Sequence, residues 1–205
     1  MKKTLLVLLT FLFLIFTCEK ANAVLLSIGD SVTPVGTISP GGTLLETVTV
    51  PFAGLFGEIG GSVTQNVLQN SDGILFEYLV NSTGDGDITQ VTASFYDIYS
   101  TDVDGPIAPY SPIVDSITRG ANGDTITWNY IGDAILTGEA SGTLWVQTNA
   151  PWYGEGGFSL IGADTDTKKL FGPAHAVPEP TTLGLLGFGL IGLVSRKLKN
   201  KWKSL

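Results

Sequence analysis

The sequence predicts an all-β chain, an antiparallel β-sandwich open to a jelly-roll-like arrangement, and three observations predict it. Apolar and polar residues alternate with a period of two over several windows of five to eight residues. Glycine-rich turn signals separate those windows. No window shows the 3.6-residue periodicity of an amphipathic helix.

The clearest window is Asp124 to Ile131, where Ile126, Trp128 and Tyr130 share one face and Thr125, Thr127 and Asn129 the other. Val91, Ala93 and Phe95 alternate with Thr92, Ser94 and Tyr96 in the same manner. Ile74, Phe76, Tyr78 and Val80 define a third strand, and Leu75 and Leu79 on its reverse side predict burial on both faces. Weaker windows lie at 43–50, 61–69, 113–118, 143–149 and 157–162, and 163–176 reads as a loop or a last strand. The turns fall at Pro40-Gly41-Gly42, Gly60-Gly61, Ser71-Asp72-Gly73, Gly84-Asp85-Gly86, Asp104-Gly105-Pro106, Asn122-Gly123 and Gly154-Glu155-Gly156-Gly157. Asn122-Gly123 is the strongest type I′ hairpin signal. Together these windows predict one sandwich of eight to ten strands over residues 24–176.

Charge separates the middle from the ends. Residues 1–23 and 177–205 hold eight of the eleven Lys and Arg, whereas 24–176 keeps only Arg119, Lys168 and Lys169 against seventeen Asp and Glu. The middle therefore carries a formal charge of −14, which repels phosphate backbones and argues against a nucleic-acid partner. Cys18 is the lone cysteine and lies in the N-terminal apolar segment, so the sandwich has neither disulfide nor thiol nucleophile.

Little in the middle points to catalysis, and no catalytic residue is assigned. Its one histidine, His175, stands two residues before the tail motif, and no Gly-x-Ser-x-Gly elbow occurs. A zinc site needs more His or Cys than this. Glycosidic cleavage needs two facing carboxylates; Glu77, flanked by aromatics on a strand, is the most suggestive acid, although a Glu at such a position is more often simply on the exposed face. Asp85 and Asp87, Asp102 and Asp104, and Asp164 and Asp166 place carboxylate pairs near loops. Flexible acidic loops suit calcium, although Asp-Gly is also ordinary turn chemistry. Trp145, Trp152 and Tyr153 cluster around Asn149-Ala150-Pro151, where they serve either as a sugar-stacking surface or as core. Trp128 reads as core.

The two ends read as addresses. Met1-Lys2-Lys3, an apolar run from Leu5 to Phe16 and the small residues Ala21 and Ala23 follow the order of a secretory signal helix, with cleavage by signal peptidase after Ala23. That run is twelve residues, short of the ~20 of a spanning helix. At the other end stand Val177-Pro178-Glu179-Pro180, an apolar segment to Val194, and the basic cluster Arg196, Lys197, Lys199, Lys201 and Lys203. The two prolines hold the motif extended. The apolar segment predicts a short transmembrane helix, about 21 Å long at 1.5 Å per residue. The cations after it belong on the cytoplasmic side, as do Lys2 and Lys3, so the acidic middle is placed across the membrane.

This tripartite tail resembles the PEP-CTERM sorting signal, over the last 27 or so residues, and the signal segment at the start accords with it. The resemblance implies recognition of Pro178, Glu179 and Pro180 by an exosortase, a membrane peptidase for which this chain is a substrate. It further implies an inner-membrane-anchored precursor delivered to the cell envelope, outer surface or biofilm matrix of a bacterium that makes exopolysaccharide. The role expected is structural or adhesive and non-enzymatic, without a cofactor; the alternatives are an exopolysaccharide-binding module or a glycoside hydrolase. Mass spectrometry of the exported protein is expected to find Val24 as its first residue. Retention of Met1 would contradict the signal-peptide reading.

Overall fold

The computed structural model describes residues 24–107, 112–130 and 132–174. The signal helix, the tail motif, its apolar segment and the basic cluster lie outside the described residues. Twelve strands follow one another: β1 (Val24–Leu25), β2 (Ser31–Val32), β3 (Thr43–Ala53), β4 (Gly60–Asn70), β5 (Gly73–Ser82), β6 (Ile88–Ser94), β7 (Thr101–Asp104), β8 (Ser116–Arg119), β9 (Thr125–Asn129), β10 (Leu144–Thr148), β11 (Trp152–Gly162) and β12 (Thr165–Ala174). They form two antiparallel six-stranded sheets, ordered β1-β7-β10-β5-β4-β3 and β12-β11-β6-β9-β8-β2. The all-β sandwich expected from the alternation is what forms. Strands β1, β2 and β7 escape the alternation argument because two to four residues cannot show a period.

The two sheets meet through inward rows of cross-strand neighbours. In the first sheet Val67, Phe76, Val146 and Val103 stand side by side on β4, β5, β10 and β7. In the second, Leu160, Val91, Trp128 and Ile117 do so on β11, β6, β9 and β8. All eight are buried in one core cluster. Tyr78 sits between the sheets, its ring 4.9 Å from that of Phe158 and 5.9 Å from that of Trp128. Its hydroxyl meets that of Tyr96 at 2.8 Å, so neither buried phenol is orphaned. Buried Gln65 on β4 completes the closure, donating to the Phe171 carbonyl at 2.7 Å and accepting the Phe171 N–H at 2.8 Å.

Polar residues left on the outer face of the second sheet satisfy one another. Thr167, Ser159, Thr92, Thr127, Thr118 and Ser31 make one rung across all six strands, with hydroxyl contacts of 3.0 Å between Ser159 and Thr167, 3.0 Å between Thr92 and Thr127, and 3.1 Å between Ser31 and Thr118. This is the Thr face read from the Asp124 to Ile131 window.

Three turn assignments are corrected by the structure. Gly60-Gly61 opens strand β4; the β3–β4 turn is 54–59, and Gly61 is required because a Cβ there would strike the Asn81 carbonyl on β5. Gly154, Gly156 and Gly157 lie inside β11, where a Cβ on Gly156 would approach the Gly172 nitrogen of β12 to 2.6 Å. These glycines answer to close approach between strands, not to a reversal of the chain. Asn122-Gly123 does sit in the β8–β9 hairpin, but among these two only Gly123 has positive φ, +79°. The turn instead closes with Gly123 N–H on the Gly120 carbonyl at 2.8 Å, so a type I′ turn, which needs positive φ at both central residues, is excluded.

Arg119 knits one end of the sandwich. It is 4% exposed, and its guanidinium donates to the carbonyls of Gly123, Leu26, Tyr96 and Tyr99 and to the Thr101 hydroxyl, at 2.7–3.2 Å. Burial lowers its pKa, against the opposing influence of Asp97. A planar fork of five donors fits such a cage where an ammonium does not. Arg119→Ala is expected to cost about 3 kcal/mol or more, since it strands several buried acceptors at once. Arg119→Lys should recover only part of this, as read by the denaturation midpoint.

Asp164 and Asp166 tie the opposite end. Asp164 accepts from Phe56 N–H at 2.6 Å and Thr165 N–H at 2.7 Å, and Asp166 from Ala53 N–H at 2.8 Å and Lys168 Nζ at 2.9 Å. Burial works to raise both pKa values, but these donors outweigh it and hold both below the usual carboxylate range. A carboxylate depressed in the folded state contributes stability that is complete above its unfolded pKa, about 3.9. That contribution is lost as pH falls through the lower folded value. Stability measured between pH 6 and pH 2 should therefore fall at the acid end, and less steeply in Asp164→Asn.

Candidate functional site

The first sheet has an unusual outer face because the chain crosses it. After β2, at the edge of the second sheet, residues 33–42 run as a strap to β3 at the far edge of the first. Prolines 34 and 40 and Gly36 and Gly41, both at positive φ, deny this segment a regular strand. Gly36 is at φ +70° and a Cβ there would run into the Ile107 side chain, so the strap requires glycine at this point.

Asp104 holds the strap down. It is fully buried on β7; Oδ1 accepts from the N–H groups of Val35 at 3.0 Å, Gly36 at 3.2 Å and Gly105 at 2.8 Å, and Oδ2 from Thr37 N–H at 2.6 Å and the Thr37 hydroxyl at 2.5 Å. Trp145 on β10, beside Asp104, donates its indole N–H to the Thr37 carbonyl at 3.3 Å. Farther along, Asn70 reaches the Gly41 carbonyl at 3.1 Å and Gln147 Oε1 at 2.7 Å.

Beneath and beside the strap lies a cleft of about 700 Å³, walled by Thr37, Ile38, Pro106, Ile107, Thr143 and Glu77 among others. Two of its lining residues, Trp145 and Glu77, belong to one rung across five strands. Asp104, Trp145, Glu77, Asn66 and Thr47 are successive cross-strand neighbours on β7, β10, β5, β4 and β3. Thr47 donates to Asn66 Oδ1 at 3.0 Å, which turns the Asn66 amide N–H toward Glu77 Oε2 at 3.4 Å. Glu77 is half-buried, and it is the one carboxylate among the described residues of the cleft wall.

The other residues singled out from sequence are dispersed. Trp145 is 1% exposed, under the strap, whereas Trp152 is 58% exposed on β11 in the other sheet. Tyr153, the next residue, points the opposite way along the strand, and its ring packs edge-on against Phe171 at 5.3 Å. The three rings therefore make no common platform, which corrects the sugar-stacking expectation: loop proximity in sequence says nothing about which sheet each ring joins. Among the calcium candidates, both oxygens of Asp104 are saturated by strap and backbone donors. Asp102, also facing outward on β7, has its pKa raised by burial and then by the charge of Asp72. Asp85 and Asp87 stand between β5 and β6. Among the described residues no three His, Cys, Asp or Glu side chains gather to hold a metal ion.

Asn66, Thr37 and the strap were not legible as site residues. The spacing of Pro34, Gly36, Pro40 and Gly41 is the signal that marks residues 33–42 as neither strand nor tight turn. Asp104→Asn is expected to remove about 2–3 kcal/mol, because an amide cannot accept all five donors and brings two N–H groups of its own. The same variant should leave Trp145 more open to acrylamide quenching. An unchanged melting curve together with unchanged quenching would contradict the anchoring role.

Among the described residues no helix is long and apolar enough to cross a membrane. A family model for the PEP-CTERM protein-sorting motif matches residues 176–199. No curated protein and no solved structure matches the chain. The chain thus carries a PEP-CTERM sorting motif, the mark of an exported protein that exosortase-type machinery processes at the membrane.

Proposed function

We propose that this exported, PEP-CTERM-tailed chain is an envelope or biofilm-matrix protein with a structural or adhesive role. The observation that carries the reading is the sorting motif at residues 176–199. Its tail serves delivery, with Pro178, Glu179 and Pro180 read by the peptidase as substrate and the basic residues from Arg196 to Lys203 held in the cytoplasm. Residues 24–174 are the cargo.

The cargo's chemistry supports holding over cutting. Several of its acids are spent on structure: Asp104 anchors the strap, Asp164 anchors the β3–β4 turn at Phe56, Asp166 the end of β3 at Ala53, and Asp124 accepts the Phe95 N–H at 2.9 Å. Glycosidic cleavage needs two carboxylates across a cleft, and Glu77 has no such partner in the described wall. A polysaccharide-binding role through Trp145, Trp152 and Tyr153 lacks the shared platform it would require. The matrix role rests instead on a sandwich whose two ends are closed by charge-assisted hydrogen bonds and whose surface is strongly anionic, which suits a soluble, persistent extracellular body.

Replacing Pro178-Glu179-Pro180 with alanines, in a host that has an exosortase, is expected to leave a larger form in the inner-membrane fraction. Unchanged size and location in that host would contradict delivery through this motif.

A further inference from the structure

We propose that the strap-covered cleft is a binding site for a small organic cation, a primary ammonium group on a short apolar body. This inference rests on the cleft alone and is independent of the matrix role.

Three observations lead to it. The cleft's volume, about 700 Å³, falls within the range of small-molecule sites. Its wall is mostly apolar, with Ile38, Pro106, Ile107 and Pro112, and its polar groups are few and neutral apart from Glu77. Glu77 is held by the Thr47–Asn66 relay, so its carboxylate is oriented, yet it receives one long hydrogen bond of 3.4 Å and no cation among the described residues. A half-buried carboxylate in apolar surroundings retains unmet capacity for donors. An ammonium group supplies three donors and the opposite charge.

The rest of the domain offers no counter-ion. Lys168 is paired with Asp166 at 2.9 Å, Lys169 with Glu155 at 2.5 Å, and Arg119 is caged by carbonyls. All three cations of residues 24–176 are therefore committed elsewhere. A carboxylate or phosphate ligand would meet Glu77 with like charge, and a neutral ligand of the same shape would leave it unpaired. The apolar wall selects an alkyl ammonium over a bare metal cation, since Glu77 is the one carboxylate in the described wall and no three His, Cys, Asp or Glu side chains gather among the described residues.

The test is calorimetric titration of the full chain, held in detergent, with butylamine hydrochloride, against methylamine, 1-butanol and butyrate as comparison probes. The expected result is saturable one-to-one binding of butylammonium, weaker binding of methylammonium, and none of butanol or butyrate. Glu77→Gln, which keeps the shape and the Asn66 contact, should weaken butylammonium at least tenfold. Thr143→Lys, on the exposed rim of the cleft, should weaken it by placing a tethered ammonium near Glu77 while leaving the fold intact. Absence of saturable binding, equal binding by Glu77→Gln, or butyrate binding as tightly as butylamine would each overturn the proposal.

Discussion

A carboxylate taken fully out of water is costly unless its lone pairs are satisfied, and Asp104 meets that condition by ordering a segment that would otherwise be loose. Five donors converge on it, four of them from Val35, Gly36 and Thr37. The strap is thereby fixed across β7 and β10, Trp145 is covered, and the outer face of the first sheet becomes a walled cleft. Without this contact the connection from β2 to β3 would keep, among the described residues, only the single hydrogen bonds from Trp145 and Asn70 to hold it to the sheet. The strap wall of the cleft and the cover over Trp145 both depend on this side chain.

The same logic repeats at both ends of the sandwich. Arg119 gathers carbonyls from the N-terminal segment, the β6–β7 connection and the β8–β9 hairpin, while Asp164 and Asp166 gather N–H groups from the β3–β4 turn. A β-sandwich has many irregular connections whose backbone groups need partners. Here charged side chains supply them, which explains how a domain with seventeen acids and three cations uses so many of its charges internally. Edge protection follows similar economy. Ala53 turns its N–H away from β4 to Asp166, so alternation gives Pro51 that same outward position, where its missing donor blunts the exposed edge of β3.

How much of this could be read from sequence depends on the range of the information. Period-two alternation located β4, β5, β6 and β9 because their buried faces are continuous, and it placed Trp128 in the core. The sorting motif was legible because it is a local string whose parts stand in order. Glycine was read too narrowly: Gly61 and Gly156 look like turn residues but serve contacts between strands far apart in sequence. The site itself was the least legible part. Asp104, Trp145, Glu77, Asn66 and Thr47 are neighbours only through cross-strand register, which no single segment encodes. Asp102-Val103-Asp104-Gly105 therefore read as a cation loop, when Asp104 is an anchor for backbone N–H groups 67 to 69 residues earlier in the chain.

The account stands on the strap being part of the folded sandwich and not a loose connection. Native-state hydrogen exchange of the Val35, Gly36 and Thr37 amides measures this most directly. Protection comparable to that of the β10 amides Trp145 and Val146 is the predicted result. Exchange of these three amides at the rate of an open loop, while β10 stays protected, would contradict it.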